Sequence, residues 1–151
     1  MKIFSTLIIT VLTAASLFAQ ELKEDGLFYY NNELFSGTFT EYYEDGNSVK
    51  SVLEVQNGKP TGKSTHYFAN GDVKEVRSYK NGEKHGKWLK YNENNVLVSS
   101  AKYKNNSKHG KWQVWDDQGA LRYSLKYKNG EKSGTWKMYN EKGELTESKK
   151  Y

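Results

Sequence analysis

Asn81-Gly82-Glu83-Lys84-His85-Gly86-Lys87-Trp88-Leu89-Lys90-Tyr91-Asn92-Glu93-Asn94-Asn95-Val96-Leu97-Val98-Ser99-Ser100-Ala101-Lys102-Tyr103 is one unit of a tandem repeat. Residues 87–91 are rich in β-formers and lie between Asn- and Gly-containing stretches. In residues 97–103, Leu97, Ser99, Ala101 and Tyr103 alternate with Val98, Ser100 and Lys102. Alternation at period two between turn residues predicts half-buried strands, so the unit reads as a β-hairpin. The next unit repeats it, with Leu121, Tyr123, Leu125 and Tyr127 expected on one face and Arg122, Ser124 and Lys126 on the other.

The rest of the chain keeps the same step. Gly37, Gly62, Gly86, Gly110 and Gly134 are spaced 25, 24, 24 and 24 residues apart. Val49, Val73, Leu97, Leu121 and Leu145 form a second column, and Val55, Tyr79, Tyr103, Tyr127 and Tyr151 a third. The extra residue in the first unit lies in Asp45-Gly46-Asn47-Ser48, against Asn70-Gly71-Asp72 in the second.

The turns are periodic too. Asn70-Gly71, Asn94-Asn95, Gln118-Gly119 and Lys142-Gly143 fall inside hairpins, and Asn57-Gly58, Asn81-Gly82, Asn105-Asn106 and Asn129-Gly130 fall between them. A left-handed backbone is cheap for Gly and tolerated by Asn, which predicts positive φ at these sites. The single proline, Pro60, is expected in a between-hairpin loop, where its missing N–H breaks no ladder. Short connections force antiparallel neighbours. The expected fold is all-β: an elongated antiparallel meander of about five hairpin repeats, ten or eleven strands in a single sheet.

The stretch Asn57-Gly58-Lys59-Pro60-Thr61-Gly62-Lys63-Ser64-Thr65-His66-Tyr67-Phe68-Ala69-Asn70-Gly71-Asp72-Val73 resembles the MORN repeat. Gly86-Lys87-Trp88, Gly110-Lys111-Trp112 and Gly134-Thr135-Trp136 resemble its bacterial variant, in which Gly-x-Trp replaces Gly-x-Gly. The likeness covers residues 32–151 and is poorest in the first unit, with Phe39 in the Trp column and Glu33 in a Gly column. It implies an extended β array used for protein or membrane-surface contact rather than catalysis. Bacterial members of this variant family often carry an antitoxin label.

Met1-Lys2, the apolar run 3–12 and the small residues ending at Ala19 match a secretory leader cleaved near Ala19. The apolar run is shorter than the ~20 residues of a membrane-spanning helix. The expected organisation is a signal peptide at 1–19, an acidic cap segment at 20–31 and the repeat domain at 32–151. The chain has no cysteine, so packing and backbone pairing alone must hold the exported fold. Twelve Tyr and four Trp against 36% apolar residues predict that aromatic rings supply much of the packing.

Charge is uneven. Gln20 to Val55 carry eight acids and two lysines, whereas the remainder to Tyr151 carries twenty Lys plus Arg and ten acids. A basic body suggests an unknown protein partner or an anionic envelope component; no nucleic acid is expected for an exported chain. Lys80, Lys84, Lys104, Lys108, Lys128 and Lys132 flank the between-hairpin turns and form the candidate partner surface. The columns Lys63, Lys87, Lys111 and Lys102, Lys126, Lys150 read as a solvated face or, functionally, as a track for an anionic polymer or membrane surface. Trp88, Trp112, Trp115 and Trp136 form the candidate aromatic platform, with cross-strand packing as its structural reading.

Catalysis is not expected. Nearly every titratable side chain belongs to a repeated column, whereas an active site needs unlike groups in one pocket. His85 and His109 recur 24 residues apart, about 10 Å along the sheet, too far to share a metal. No catalytic residue, metal site or cofactor is assigned. The sequence therefore points to an exported, non-enzymatic repeat protein, in the periplasm, at the cell surface or outside the cell, that mediates protein–protein or envelope-surface contact. A cell-wall carbohydrate module using the Trp and Tyr columns, or an antitoxin-like binder of a partner protein, are the alternatives.

Overall fold

The computed structural model describes residues 20–151; the leader expected over 1–19 lies outside the described residues. Two pieces of sheet follow one another along the chain. The first is a three-stranded sheet of β1 (Gln20–Leu22), β2 (Phe28–Tyr30) and β3 (Glu33–Leu34). The second holds β4 (Gly37–Tyr42), β5 (Val49–Gln56), β6 (Lys59–Tyr67), β7 (Val73–Lys80), β8 (Glu83–Lys84), β9 (Gly86–Tyr91), β10 (Leu97–Lys104), β11 (Ser107–Lys108), β12 (Gly110–Trp115), β13 (Leu121–Lys128), β14 (Glu131–Lys132), β15 (Thr135–Tyr139) and β16 (Leu145–Lys150). Ten strands run β16-β15-β13-β12-β10-β9-β7-β6-β5-β4, each beside its neighbour in sequence, with the two-residue β8, β11 and β14 attached to β7, β10 and β13. Among the described residues there is no helix. The fold is the meander of five hairpins that the repeat demands; at ~4.8 Å per strand the ten strands extend about 45 Å.

The turns divide into two kinds. Between hairpins, two successive residues are left-handed: Asn57 and Gly58 (φ 49° and 72°), Asn105 and Asn106 (48° and 64°). That pairing matches the right-handed twist of the flanking strands, and Asn106 stands in for Gly at small cost. At each hairpin tip one residue suffices, such as Gly71 (φ 89°), Asn95 (58°) or Gly119 (85°). In the second hairpin the Phe68 N–H bonds to the Asp72 carbonyl at 2.8 Å and the Gly71 N–H returns to Phe68 at 2.9 Å.

Beyond each tip lies a β-bulge in the same place. Tyr91 pairs with Leu97 but Lys90 with Ser99; Trp115 pairs with Leu121 but Val114 with Tyr123. The same one-residue shift occurs at Tyr42/Val49, Tyr67/Val73 and Tyr139/Leu145. Simple alternation is thereby corrected. Cross-strand partners share a face, so Leu97 and Leu121 lie opposite the face of Tyr103 and Tyr127. Pro60 also departs from expectation. It sits inside β6, in register with Val55, because β6 is one nine-residue strand where later units have two pieces.

Successive units are tied at their turns. The second turn residue donates its N–H to a carbonyl of the preceding unit: Gly58 to Phe35 and Gly82 to Pro60 at 2.8 Å, Asn106 to Lys84 at 3.0 Å, Gly130 to Lys108 at 2.8 Å. The first sheet joins the series as a half unit, its Phe35 N–H bonding to Phe28 as His85 does to Ser78, both at 2.9 Å. One layer cannot enclose much. Among the described residues the buried apolar side chains are Phe28, Val55 and Ala101.

Candidate functional site

The two faces of the ten-strand sheet differ in chemistry. On the first face, Tyr79, Trp88, Tyr103, Trp112, Tyr127, Trp136 and Tyr151 form a continuous ladder with ring centroids 4.9–5.6 Å apart and planes inclined by 54–65°. The register explains it. Strands within a hairpin pair over their whole length, whereas β7·β9, β10·β12 and β13·β15 each pair through only two residues. The strands then part towards the between-hairpin turns, and a Trp fills each opening. Each indole N–H bonds to a carbonyl ten residues back, Trp88 to Ser78 (3.0 Å), Trp112 to Lys102 and Trp136 to Lys126 (both 2.9 Å). That carbonyl already accepts the backbone N–H of His85, His109 or Ser133, so both its lone pairs are used.

Of the candidate lysines, Lys84, Lys108 and Lys132 fold over this ladder. Their ammonium groups lie 5.0 Å from Trp88 and 5.5 Å from Tyr103, 4.8 Å from Trp112 and 4.9 Å from Tyr127, and 4.6 Å from Trp136 and 4.8 Å from Tyr151. Such cation–π contacts fix the ammonium above the ring. Lys80, Lys104 and Lys128 follow Tyr79, Tyr103 and Tyr127 by one residue and fall on the opposite face, in register with Glu83, Ser107 and Glu131. The candidate row is therefore split between the faces.

Trp115 leaves the other three tryptophans as well. Its register with Leu121 puts it on the opposite face, in the column of Tyr91 and Tyr139. Sequence reasoning missed that Tyr79, Tyr103, Tyr127 and Tyr151 are the other half of the ladder. Their 24-residue spacing was visible, but the pairing that interleaves them with Trp was not.

Towards β4 the same face becomes polar. Glu41 accepts Lys50 Nζ at 2.7 Å and the buried Ser51 hydroxyl at 3.1 Å. The buried Ser64 hydroxyl meets His66 Nε2 at 3.1 Å. Arg77 binds Glu75 at 2.8 Å and lays its guanidinium 5.3 Å from the Trp88 ring, joining the polar block to the ladder. Burial, then the nearby Arg77 charge, holds the His66 pKa below its ordinary value. For Glu75, burial alone would raise the carboxyl pKa, but the hydrogen bond and charge of Arg77 outweigh it and the net shift is downward. His85 and His109 serve the turns instead: His85 Nδ1 lies 3.2 Å from Asn105 Oδ1, and the Asn129 N–H approaches His109 Nδ1 at 3.5 Å.

This is a tandem β-hairpin repeat protein that displays both faces of one sheet. The family model for the MORN repeat variant matches residues 60–81, 84–105 and 108–129, and these three consecutive units are MORN repeat variants. No curated protein matches the chain. MORN repeats are in general protein- or membrane-interaction modules without catalytic function. No helix among the described residues is long and apolar enough to cross a membrane.

Proposed function

We propose that the chain is an exported, non-enzymatic adaptor that docks to a partner protein or to the envelope surface through the faces of its repeat sheet. The observation that carries this reading is the single layer itself. A MORN-type array leaves both faces wet, so side chains that would be core in a two-layer fold are available to a partner. The leader-like residues 1–19 support export. The carbohydrate-platform alternative is weaker, because the ladder rings are inclined to one another and six of the seven lie under lysine ammonium groups. Expressing the full chain in a bacterial host, fractionating the cells and crosslinking in place tests the proposal. The expected result is a protein outside the cytoplasm, beginning at Gln20 and crosslinked to a discrete envelope partner. A cytoplasmic chain that retains Met1 and crosslinks to nothing would overturn it.

A further inference from the structure

The face opposite the aromatic ladder brings two lysine columns together. Lys87 is in register with Lys102 across β9 and β10, and Lys111 with Lys126 across β12 and β13. The Ser100–Gln113 pairing between β10 and β12 sets these two pairs side by side. The result is a row of four lysines on β9, β10, β12 and β13, ~4.8 Å apart within each pair and further apart between Lys102 and Lys111, where the strands part. All four are exposed. Among the described residues the ion pairs are Lys23–Glu21, Lys50–Glu41, Arg77–Glu75 and Arg122–Asp116, none of them in this row. Like charges directly opposite on a sheet destabilise it. Backbones ~5 Å apart keep each pair of ammonium groups within the ~8–10 Å Debye length unless the side chains splay, so salt screens the repulsion only in part.

Two of the four are also held down. A Cβ on Gly110 would lie 3.1 Å from the Lys102 Cδ, and one on Gly134 3.1 Å from the Lys126 Cδ. The glycine column thus makes room for each lysine stem to lie against the next strand, its ammonium free at the end. In the Lys102 column the earlier units carry Glu54 and Ser78, and Lys63 on β6 faces Ser78, so the uninterrupted row begins at β9.

The neighbouring row on this face reads Leu89, Ser100, Gln113 and Ser124. Hydroxyl and amide groups beside the lysines suit a ligand rich in hydroxyls. A bilayer surface would favour apolar side chains there for insertion, and a polynucleotide would favour aromatic rings for its bases. The rings adjacent to the lysines, Trp88, Tyr103, Trp112 and Tyr127, are on the other face, and Tyr91 and Trp115 on this face stand four residues along the strand from Lys87 and Lys111.

We propose that Lys87, Lys102, Lys111 and Lys126, with Ser100, Gln113 and Ser124, form a binding track for a linear acidic polysaccharide running across the strands. This rests on the interaction-module reading above. It identifies one ligand class and one face.

Binding of the chain from Gln20 to polygalacturonate, dextran sulfate, a thymidine homopolymer and phosphatidylglycerol vesicles, at low and high salt, tests it. The four-site variant Lys87→Thr, Lys102→Ser, Lys111→Thr, Lys126→Ser uses residues that the chain itself places in these columns. It is expected to weaken polygalacturonate binding by about tenfold or more at low salt. Its melting temperature should stay level or rise as the repulsion is relieved. Lys84→Ser, Lys108→Ser and Lys132→Ser together should change that binding by less than about threefold, since those groups lie on the other face. Three results would each overturn the track: no polysaccharide binding by the parent, tighter binding of vesicles or homopolymer, or a loss that follows the ladder-face lysines. Loss of polysaccharide binding with an envelope crosslink intact would sink this inference and leave the adaptor reading standing.

Discussion

The β5·β6 junction and the β10·β12 junction occupy equivalent places in the repeat yet differ by one register pair and in the side chain that sits there. At the first, three register pairs run from Ser51↔His66 to Leu53↔Ser64 before the register shifts towards the turn, and the residue two after the glycine is Ser64, 3% exposed. At the second, two register pairs hold the strands and the equivalent residue is Trp112, with Tyr103 5.2 Å and Tyr127 5.4 Å from its ring. Where the ladder runs one pair further it leaves room for a hydroxyl; where it stops short an indole fills the space. The N-terminal hairpins therefore spend their first face on hydrogen bonds and ion pairs, and the later ones on ring packing. Arg77 is the seam, bound to Glu75 on one side and lying over Trp88 on the other.

Exchanging the two residues tests that contrast most severely. Trp112→Ser removes a half-buried indole, two ring contacts, the cation–π contact of Lys108 and one hydrogen bond to Lys102, and should cost about 2–4 kcal/mol. Ser64→Trp forces an indole into the buried site opposite Leu53 and should cost about 1–3 kcal/mol. Urea unfolding of both variants measures the two effects. Should Ser64→Trp be neutral or stabilising, the extra Leu53↔Ser64 pair is not what excludes the indole.

The turns and the hairpin count were legible because each rests on a residue type with one strong backbone preference. Asn57, Asn81, Asn105 and Asn129 all have positive φ, as their place before Gly or Asn predicts. The faces were less legible. One extra residue at Val98 or Arg122 reverses the side of everything beyond it, and a bulge residue carries no distinctive chemistry. Lys84 and Lys87, three residues apart, fall on opposite faces by plain alternation, since Lys84, Gly86 and Trp88 stay on one face across the β8/β9 break. The polar block was hidden for another reason: Ser64, His66 and Arg77 look like poor matches within columns until the register puts them together.

A smaller effect probes whether the tips differ as the junctions do. Gly71→Val and Gly119→Val each put a β-branched residue at positive φ, costing about 1–2 kcal/mol through backbone strain alone. A Cβ at Gly71 would meet nothing within 4 Å, whereas one at Gly119 would lie 3.3 Å from Val96 Cγ1. Thermal unfolding should therefore rank Gly119→Val below Gly71→Val, with both below the parent. Equal melting of all three would mean that these tips are not held in the left-handed conformation.

The smallest expected effect is a difference in how the two regions answer pH. His66 faces Glu41 and Glu75, which favour its charged form, and Arg77 and Lys74, which oppose it; burial decides, and its pKa is lowered. The unfolded chain therefore takes up the proton first as pH falls below about 6.5, and stability is lost through that window and down to the folded pKa. Glu75, also lowered, adds a second loss in the same direction at lower pH, beneath the ordinary carboxylate range. In the ladder the shifted phenol is Tyr103, raised by burial and then by the Glu75 charge. Its contribution is intact below pH 10 and is lost only as alkali ionises the unfolded chain first. In a repeat array stability is close to a sum of neighbour terms, so the two losses should stay local. Amide hydrogen exchange, corrected for intrinsic rates, should show β6 and β7 losing protection between pH 7 and pH 5.5 while β12 and β13 keep theirs. In His66→Gln, which carries no titrating ring, the difference should vanish over that window. Uniform loss across the sheet, or a difference that survives His66→Gln, would place the acid response somewhere other than the polar block.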